Sequence, residues 1–269
     1  MTLKENNIWH GLSLNTIYNM DCIEGMKMIP DGSIDLTVTS PPYDNLRTYN
    51  WYSRDFEWVA KELYRITKQG GVVVWVVGDA TIKGSETGTS FKQALYFKEI
   101  GFNLHDTMIY EKSTALPQNC DRYYPIFEYM FVLSKGKPKT FNPITVLASN
   151  NKRKDKTAHR TKDNKIVVPK TGRNEYRRLF NVWRYAVGLG GTTNDKIAFQ
   201  HPAIFPEKLA EDHILSWSNE WDIVLDPFMW SWTTAKMALI NNRNYIWFEI
   251  SQEYVDIANK RIQDKLSEK

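Results

Sequence analysis

"DIVLDPFMWSWTTAKMALINNRNYIWFEI", residues 222–250, carries the pattern from which the fold can be read. "DIVLDPF" reads as a buried strand, "TTAKMALINN" as a helix and "NYIWFEI" as a second strand. A strand–loop–helix–strand unit of this kind belongs to a parallel sheet that binds its ligand at the carboxyl ends of the strands. The first strand ends on Asp226, Pro227 and Phe228, as a ligand-facing turn should. Where glycine would let the backbone approach a ligand, however, the loop has Trp230 and Trp232.

The same alternation runs through the chain. "SIDLTVTS" (33–40) is a β-rich run closed by Pro41-Pro42, which cannot continue a ladder. "FEWVAKELYRITKQ" (56–69) has helical spacing up to Gly70-Gly71, and "GVVVWVVGD" (71–79) is apolar enough to be a buried, parallel strand. "SFKQALYFKEIGF" (90–102) reads as a helix, and "HDTMIYEK" (105–112) and "FEYMFVLSKG" (127–136) as strands. "FPEKLAEDHILSWS" (205–218) and "SQEYVDIANKRIQDKL" (251–266) read as helices. The expected fold class is therefore α/β, a doubly wound, mostly parallel sheet.

Composition narrows the function. Hydrophobic content of 42% and charged content of 25% suit a soluble globular enzyme with one large domain. No apolar run approaches the roughly 18 residues a membrane span needs, and the N-terminus lacks a signal-peptide core, so a cytoplasmic protein with no membrane partner is expected. Cys22 and Cys120 stand apart, which points to reduced thiols and to no metal site. The net charge of +4 conceals an asymmetry. Residues 134–184 hold 15 Lys+Arg against 3 Asp+Glu, while the rest of the chain is acidic. Such a stretch is either a polyanion site or a solvated loop.

"TSPPY" (39–43) is the sharpest chemical signal. Two prolines make a rigid turn at a strand end, preceded by the Ser40 hydroxyl and followed by the Tyr43 ring. That turn suits a flat, amine-bearing ring, with Ser40 and a backbone carbonyl accepting its N–H protons and Tyr43 stacking on it. Ser-Pro-Pro-Tyr resembles the catalytic motif of amino-group DNA methyltransferases, and "VLDPF" followed by Ser-x-Thr-Thr resembles their S-adenosylmethionine loop. The catalytic motif comes first, the cofactor motif lies near the C-terminus, and a basic variable region separates them. This order is similar to that of the circularly permuted β group. The likeness runs from "NMDCIEGM" (19–26) through "RYYPIFEYMFVLSKGKPKTFN" (122–142) and "HPAIFPEKLAEDHI" (201–214) to "EIS" (249–251).

The resemblance implies a Rossmann-like class I methyltransferase fold. Residues 1–140 would be its catalytic half, 141–185 an inserted target-recognition region, and 186–269 its S-adenosylmethionine-binding half. It implies methyl transfer from that cofactor to N4 of cytosine or N6 of adenine in a base flipped out of double-stranded DNA. Ser40, Pro41, Pro42 and Tyr43 would form the catalytic turn. The cofactor would lie against Asp21, His201, Pro202, Asp226, Phe228, Ser231, Thr233, Thr234 and Glu249. Lys152, Arg153, Lys154, Arg160, Arg173, Arg177 and Arg178 would hold DNA. Serine before Pro-Pro-Tyr leans towards cytosine, although members of the group break that rule. The likeness leaves room for a homodimer and for a cognate restriction nuclease. Methylation at cytosine C5 would need a Pro-Cys nucleophile, and neither cysteine follows proline. An NAD oxidoreductase would share Glu249 but needs a G-x-G-x-x-G that is missing.

Trp221, Trp230, Trp232 and Trp247 stand where sequences of this family have glycine, and Trp51 and Trp58 are weaker members of the set. Tryptophan forced into glycine dihedrals costs about 1–3 kcal/mol. Three accounts are open: a catalytically dead, DNA-binding relative; a loop rearranged so that indoles stack on adenine; or UGA codons read as tryptophan where the source organism reads glycine. Recurrence of one substitution type, with the polar residues intact, favours the third.

Overall fold

In the computed structural model the described residues are 11–41, 54–115, 121–148, 158–167, 175–188, 190–193, 206–228, 233–256 and 258–259. In chain order they form β1 (Thr16–Asn19), α1 (Cys22–Met28), β2 (Ile34–Thr39), α2 (Arg54–Ile66), β3 (Thr67–Val77), the small hairpin β4 (Thr81–Ile82) and β5 (Ser85–Glu86), α3 (Thr89–Glu99), β6 (Asn103–Lys112) and β7 (Phe127–Ser134). There follow β8 (Thr145–Leu147), β9 (His159–Arg160), β10 (Ile166–Val167), β11 (Tyr176–Arg178), β12 (Val182–Tyr185), α4 (Glu207–Trp217), β13 (Ile223–Asp226), α5 (Thr233–Ile240) and β14 (Asn244–Glu249).

Eight strands join in the order β1-β14-β13-β2-β3-β7-β6-β12. Every neighbouring pair is parallel except β3–β7 and β7–β6, so β7 alone runs against the sheet. The central strand shows why its sequence lacks polar alternation. Val72, Val74 and Val76 face one core with Leu209, Ile214, Ala235 and Ala238 of α4 and α5. Val73, Trp75 and Val77 face a second core with Met26, Val59, Leu63 and Phe97 of α1, α2 and α3. Helices cover both faces, so neither needs polar residues. Packing is tight at Gly25 of α1, where an added Cβ would lie 2.3 Å from the Phe248 ring.

Two readings of the sequence are corrected. The helix expected over 56–69 ends at Ile66, and β3 begins at Thr67 rather than after the glycines. Thr67 is β-branched, pairs with Ile34, and turns its hydroxyl back onto the Leu63 carbonyl at 2.5 Å. Gly70, at φ +82°, is absorbed as an irregularity inside the strand, its N–H donating to Lys135 O. The strand is also parallel on one side only: against β2 it is parallel, against β7 antiparallel.

The chain divides into two compact units, Met1–Asn142 with Asn181–Lys269, and Pro143–Phe180. The smaller contains two antiparallel pairs, β8 with β11 and β9 with β10. Its β9–β10 turn closes through Thr161 N–H to Lys165 O, with Asn164 at φ +61°.

Candidate active site

The carboxyl ends of adjacent parallel strands bring together residues far apart in sequence. Leu36 and Thr37 of β2 pair with Val224 and Leu225 of β13, so Thr39-Ser40-Pro41 and Asp226-Pro227-Phe228 leave the sheet side by side. On the other flank of β13, Asp226 pairs with Trp247 of β14, and Glu249 pairs with Asn19 of β1. The order along this edge is Asn19, Glu249, Asp226, Ser40.

Asp226 is buried, and its Oδ1 accepts from the Thr39 hydroxyl at 2.6 Å and from the Phe228 N–H at 3.1 Å. Burial pushes its carboxyl up to about 7, the nearby Glu249 charge adds to the rise, and hydrogen bonds from Thr39, Phe228 and Thr234 oppose it. Thr233 and Thr234 open α5 with buried side chains, and the Thr234 hydroxyl also lies 3.3 Å from Val38 O. Phe228 sets its ring edge-on to Trp75, 6.2 Å between centroids. Trp75 is itself fixed by its indole N–H donating to Gln93 Oε1 at 2.8 Å.

Glu249 is half-buried, and burial raises its pKa against backbone N–H donation from Ser251 and Ile250. The Ser251 N–H sits 2.7 Å from its Oε1. Asn19 steadies this strand end by donating from Nδ2 to the carbonyls of Glu249 and Ile250, each at 3.0 Å. Asp21 caps α1, its Oδ1 accepting from the N–H of Ile23 (2.8 Å) and Glu24 (3.4 Å). Ser40 is half-buried and Pro41 buried at the end of β2. Beyond β3, Asp79 accepts from the Thr87 hydroxyl at 3.2 Å and from both the N–H (3.0 Å) and the hydroxyl of Ser90.

Several expected site residues lie outside the described residues: Pro42, Tyr43, His201, Pro202 and Ser231, and among the basic ones Lys152, Arg153, Lys154 and Arg173. In the smaller unit, Arg160 donates to Asn164 Oδ1 at 2.9 Å. Arg177 stacks its guanidinium 4.2 Å from the Phe180 ring centroid and donates to Arg178 O, while Arg178 projects from the other side of β11. Thr39 and Asn19 escape a reading of the sequence alone. A signal is present for Thr39, which adjoins Ser40 inside "TSPPY", but its partner is 187 residues away.

The tryptophans separate by position. Trp221 adopts φ +71°, the left-handed region that favours glycine, with its side chain 59% exposed. Trp247 lies in strand β14, fully buried and stacked on Tyr245 at 5.1 Å. Its indole nitrogen finds no hydrogen-bond partner among the described residues. Trp58 lies within α2 beneath the Lys27 ammonium, 5.1 Å away. Trp51, Trp230 and Trp232 are outside the described residues.

A reversed strand within a parallel sheet, two carboxylates on adjacent strand ends and Ser40-Pro41 beside them fit the class I methyltransferase fold that the sequence resemblance implies. A family model for DNA methylases matches residues 34–260. The orphan methyltransferase M.BamHII of Bacillus amyloliquefaciens is 63% identical over 241 residues, covering 88% of this chain and 91% of its own. Among solved structures, the PvuII DNA methyltransferase (cytosine-N4-specific) superposes with a TM-score of 0.68 at 22% identity, over 91% of this chain and 84% of that one. The M1.HpyAVI–SAM complex superposes at 0.57 with 24% identity, over 91% and 98%. The chain belongs to the DNA methylase family. It is an S-adenosylmethionine-dependent DNA amino-methyltransferase, and these comparisons lend no support to a catalytically dead protein.

The donor set fits that cofactor. Half-buried Glu249 at a strand end suits the ribose hydroxyls, buried Asp226 beside it supplies negative charge for a cationic ligand, and the first turn of α5 offers N–H groups to a carboxylate.

Proposed function

We propose that this chain methylates the N4 nitrogen of cytosine in a base extruded from double-stranded DNA. The observation that carries the reading is the position of Ser40, the residue after the Thr39–Asp226 hydrogen bond, on the strand next to the cofactor strand. The exocyclic nitrogen is a poor nucleophile because its lone pair is delocalised into the ring. Ser40 Oγ and the Pro41 carbonyl accept its two N–H protons and favour a pyramidal nitrogen whose lone pair can attack. Tyr43, by its place in the motif, stacks on the base. The cofactor's sulfonium would supply the methyl group and leave as a neutral thioether, while the nitrogen gives up one of its two protons to solvent. What remains for the protein is mainly positioning. Glu249 orients the ribose, and Asp226, Phe228, Thr233 and Thr234 shape the cofactor side, with Asp21, His201, Pro202 and Ser231 completing it.

Residues 1–140 and 186–269 would form the two halves of the catalytic domain and 141–185 the recognition region. There Lys152, Arg153, Lys154, Arg160, Arg173, Arg177 and Arg178 hold phosphates and orient base readers. The reading places the enzyme in the cytoplasm with its DNA. It also admits a homodimer and a cognate restriction nuclease, tested by sedimentation and by assaying neighbouring open reading frames for cleavage of unmodified DNA.

The test is incubation of duplex DNA with the protein and labelled S-adenosylmethionine, then digestion to nucleosides and mass spectrometry. N4-methylcytosine at a fixed sequence is expected. N6-methyladenine would overturn the choice of base, and no methylated nucleoside would overturn the reading altogether.

A further inference from the structure

The catalytic turn and the cofactor loop are joined by a buried polar knot. Thr39 ends β2 with its side chain fully buried, and its hydroxyl donates to Asp226 Oδ1 at 2.6 Å. The same oxygen accepts the Phe228 N–H at 3.1 Å. The Thr234 hydroxyl on α5 is shared between the Asp226 carboxyl and Val38 O, one residue before Thr39. The last residues of β2, the last of β13 and the first of α5 thus meet on one carboxylate. From β14 the charge acting on it is Glu249; from β2 and α5 it meets the neutral hydroxyls of Thr39 and Thr234.

A hydroxyl is not needed to fill this space, because valine has nearly the same shape and the neighbours on that face of the sheet, Val73 and Trp75 of β3 and Leu225 of β13, are apolar. The hydroxyl has a partner that is specific and costly to leave alone. We propose that Thr39 is a positioning residue for methyl transfer, holding the Ser40 turn in register with the cofactor-binding end of β13 through its hydrogen bond to Asp226. The inference rests on the function proposed above. Its consequence is that the catalytic turn and the cofactor strand move as one piece, so loss of the bond weakens cofactor binding and slows transfer together.

The experiment compares wild-type protein with Thr39→Val and Thr39→Ser, measuring the S-adenosylmethionine Kd by calorimetry across neutral pH together with kcat and KM in methyl transfer. The wild-type affinity is expected to fall on acidification through about 7, as the carboxyl protonates. T39V removes a bond that favours the ionised form, so this fall moves to higher pH. Above it, the Kd is expected to rise about tenfold and kcat to drop by a similar factor. T39S is expected to restore both. An unchanged Kd, kcat and pH midpoint in T39V would overturn the proposal, as would failure of serine to rescue. Should T39V not fold, T39A against T39S gives the same comparison, since only the alanine lacks the hydroxyl. If wild-type protein neither binds cofactor nor methylates DNA, the function proposed above fails; if it does both and T39V matches it, this inference alone fails.

Discussion

At the strand ends of the larger unit, polar side chains are buried and bonded to one another, whereas in Pro143–Phe180 even aromatic side chains stand in solvent among charges. Thr39, Thr234 and Asp226 are at most 5% exposed and share hydrogen bonds. Tyr176 and Phe180 are 55% and 69% exposed among basic neighbours. On the function proposed above, the difference follows from the tasks. Methyl transfer needs reacting atoms held within fractions of an ångström, which requires side chains with one available geometry. Phosphate binding needs charge within reach and tolerates side chains that adapt.

Breaking one side at a time separates the two. Ser40→Ala should lower kcat by about 100-fold while leaving the cofactor Kd unchanged, read from single-turnover methylation beside calorimetry. A parallel loss of cofactor affinity would show that the turn and the cofactor site cannot be separated. Removing Arg177 and Arg178 together, as alanines, should weaken DNA binding several-fold. The slope of log K against log salt should become shallower by about 0.9 for each phosphate that an arginine had neutralised, with cofactor affinity intact. An unchanged slope would mean that neither arginine meets phosphate.

The buried side can also be sharpened through pH. His213 is fully buried against Met130 Sδ at 3.2 Å and the Trp183 ring at 4.8 Å, and burial lowers its pKa to about 3. The unfolded chain takes up this proton at about 6.5, so the folded state is favoured above that pH and loses the advantage as pH falls towards 3. Thermal melts from pH 7 to 5 should show a falling Tm, less steep in His213→Gln. Equal slopes would assign the acid lability elsewhere. The smallest effect is expected at Trp221. Replacing it by glycine relieves the left-handed backbone and should raise stability by about 1 kcal/mol, or roughly 2–4 °C in Tm. A lower Tm would mean that the indole contributes more through packing than the dihedral costs.

Much of this architecture was legible along the chain. The strand–loop–helix–strand run of 222–250, the uniformly apolar 71–79 and the proline-closed 33–41 appear as the strands and helix expected, because each carries its own period and stop signal. The ends were less legible. Thr67–Gln69 looked like the tail of a helix, and the pairing of Thr67 with Ile34 of β2 is a long-range contact that local spacing does not record. Among the tryptophans, a shared residue type hid two situations. Position 221 is set by backbone, position 247 by a core that encloses the ring.

From the sequence alone came the α/β class, the family and the residues proposed for the catalytic turn and cofactor loop, because these rest on motifs contiguous in the chain. Tertiary structure alone decided which strand ends are neighbours, that Thr39 donates its hydroxyl proton to Asp226, and that the Asp226 carboxyl is buried enough to titrate near neutrality. The reason is physical. A motif specifies which groups are available, but desolvation and hydrogen bonding depend on what the rest of the chain packs around them, here across 187 residues.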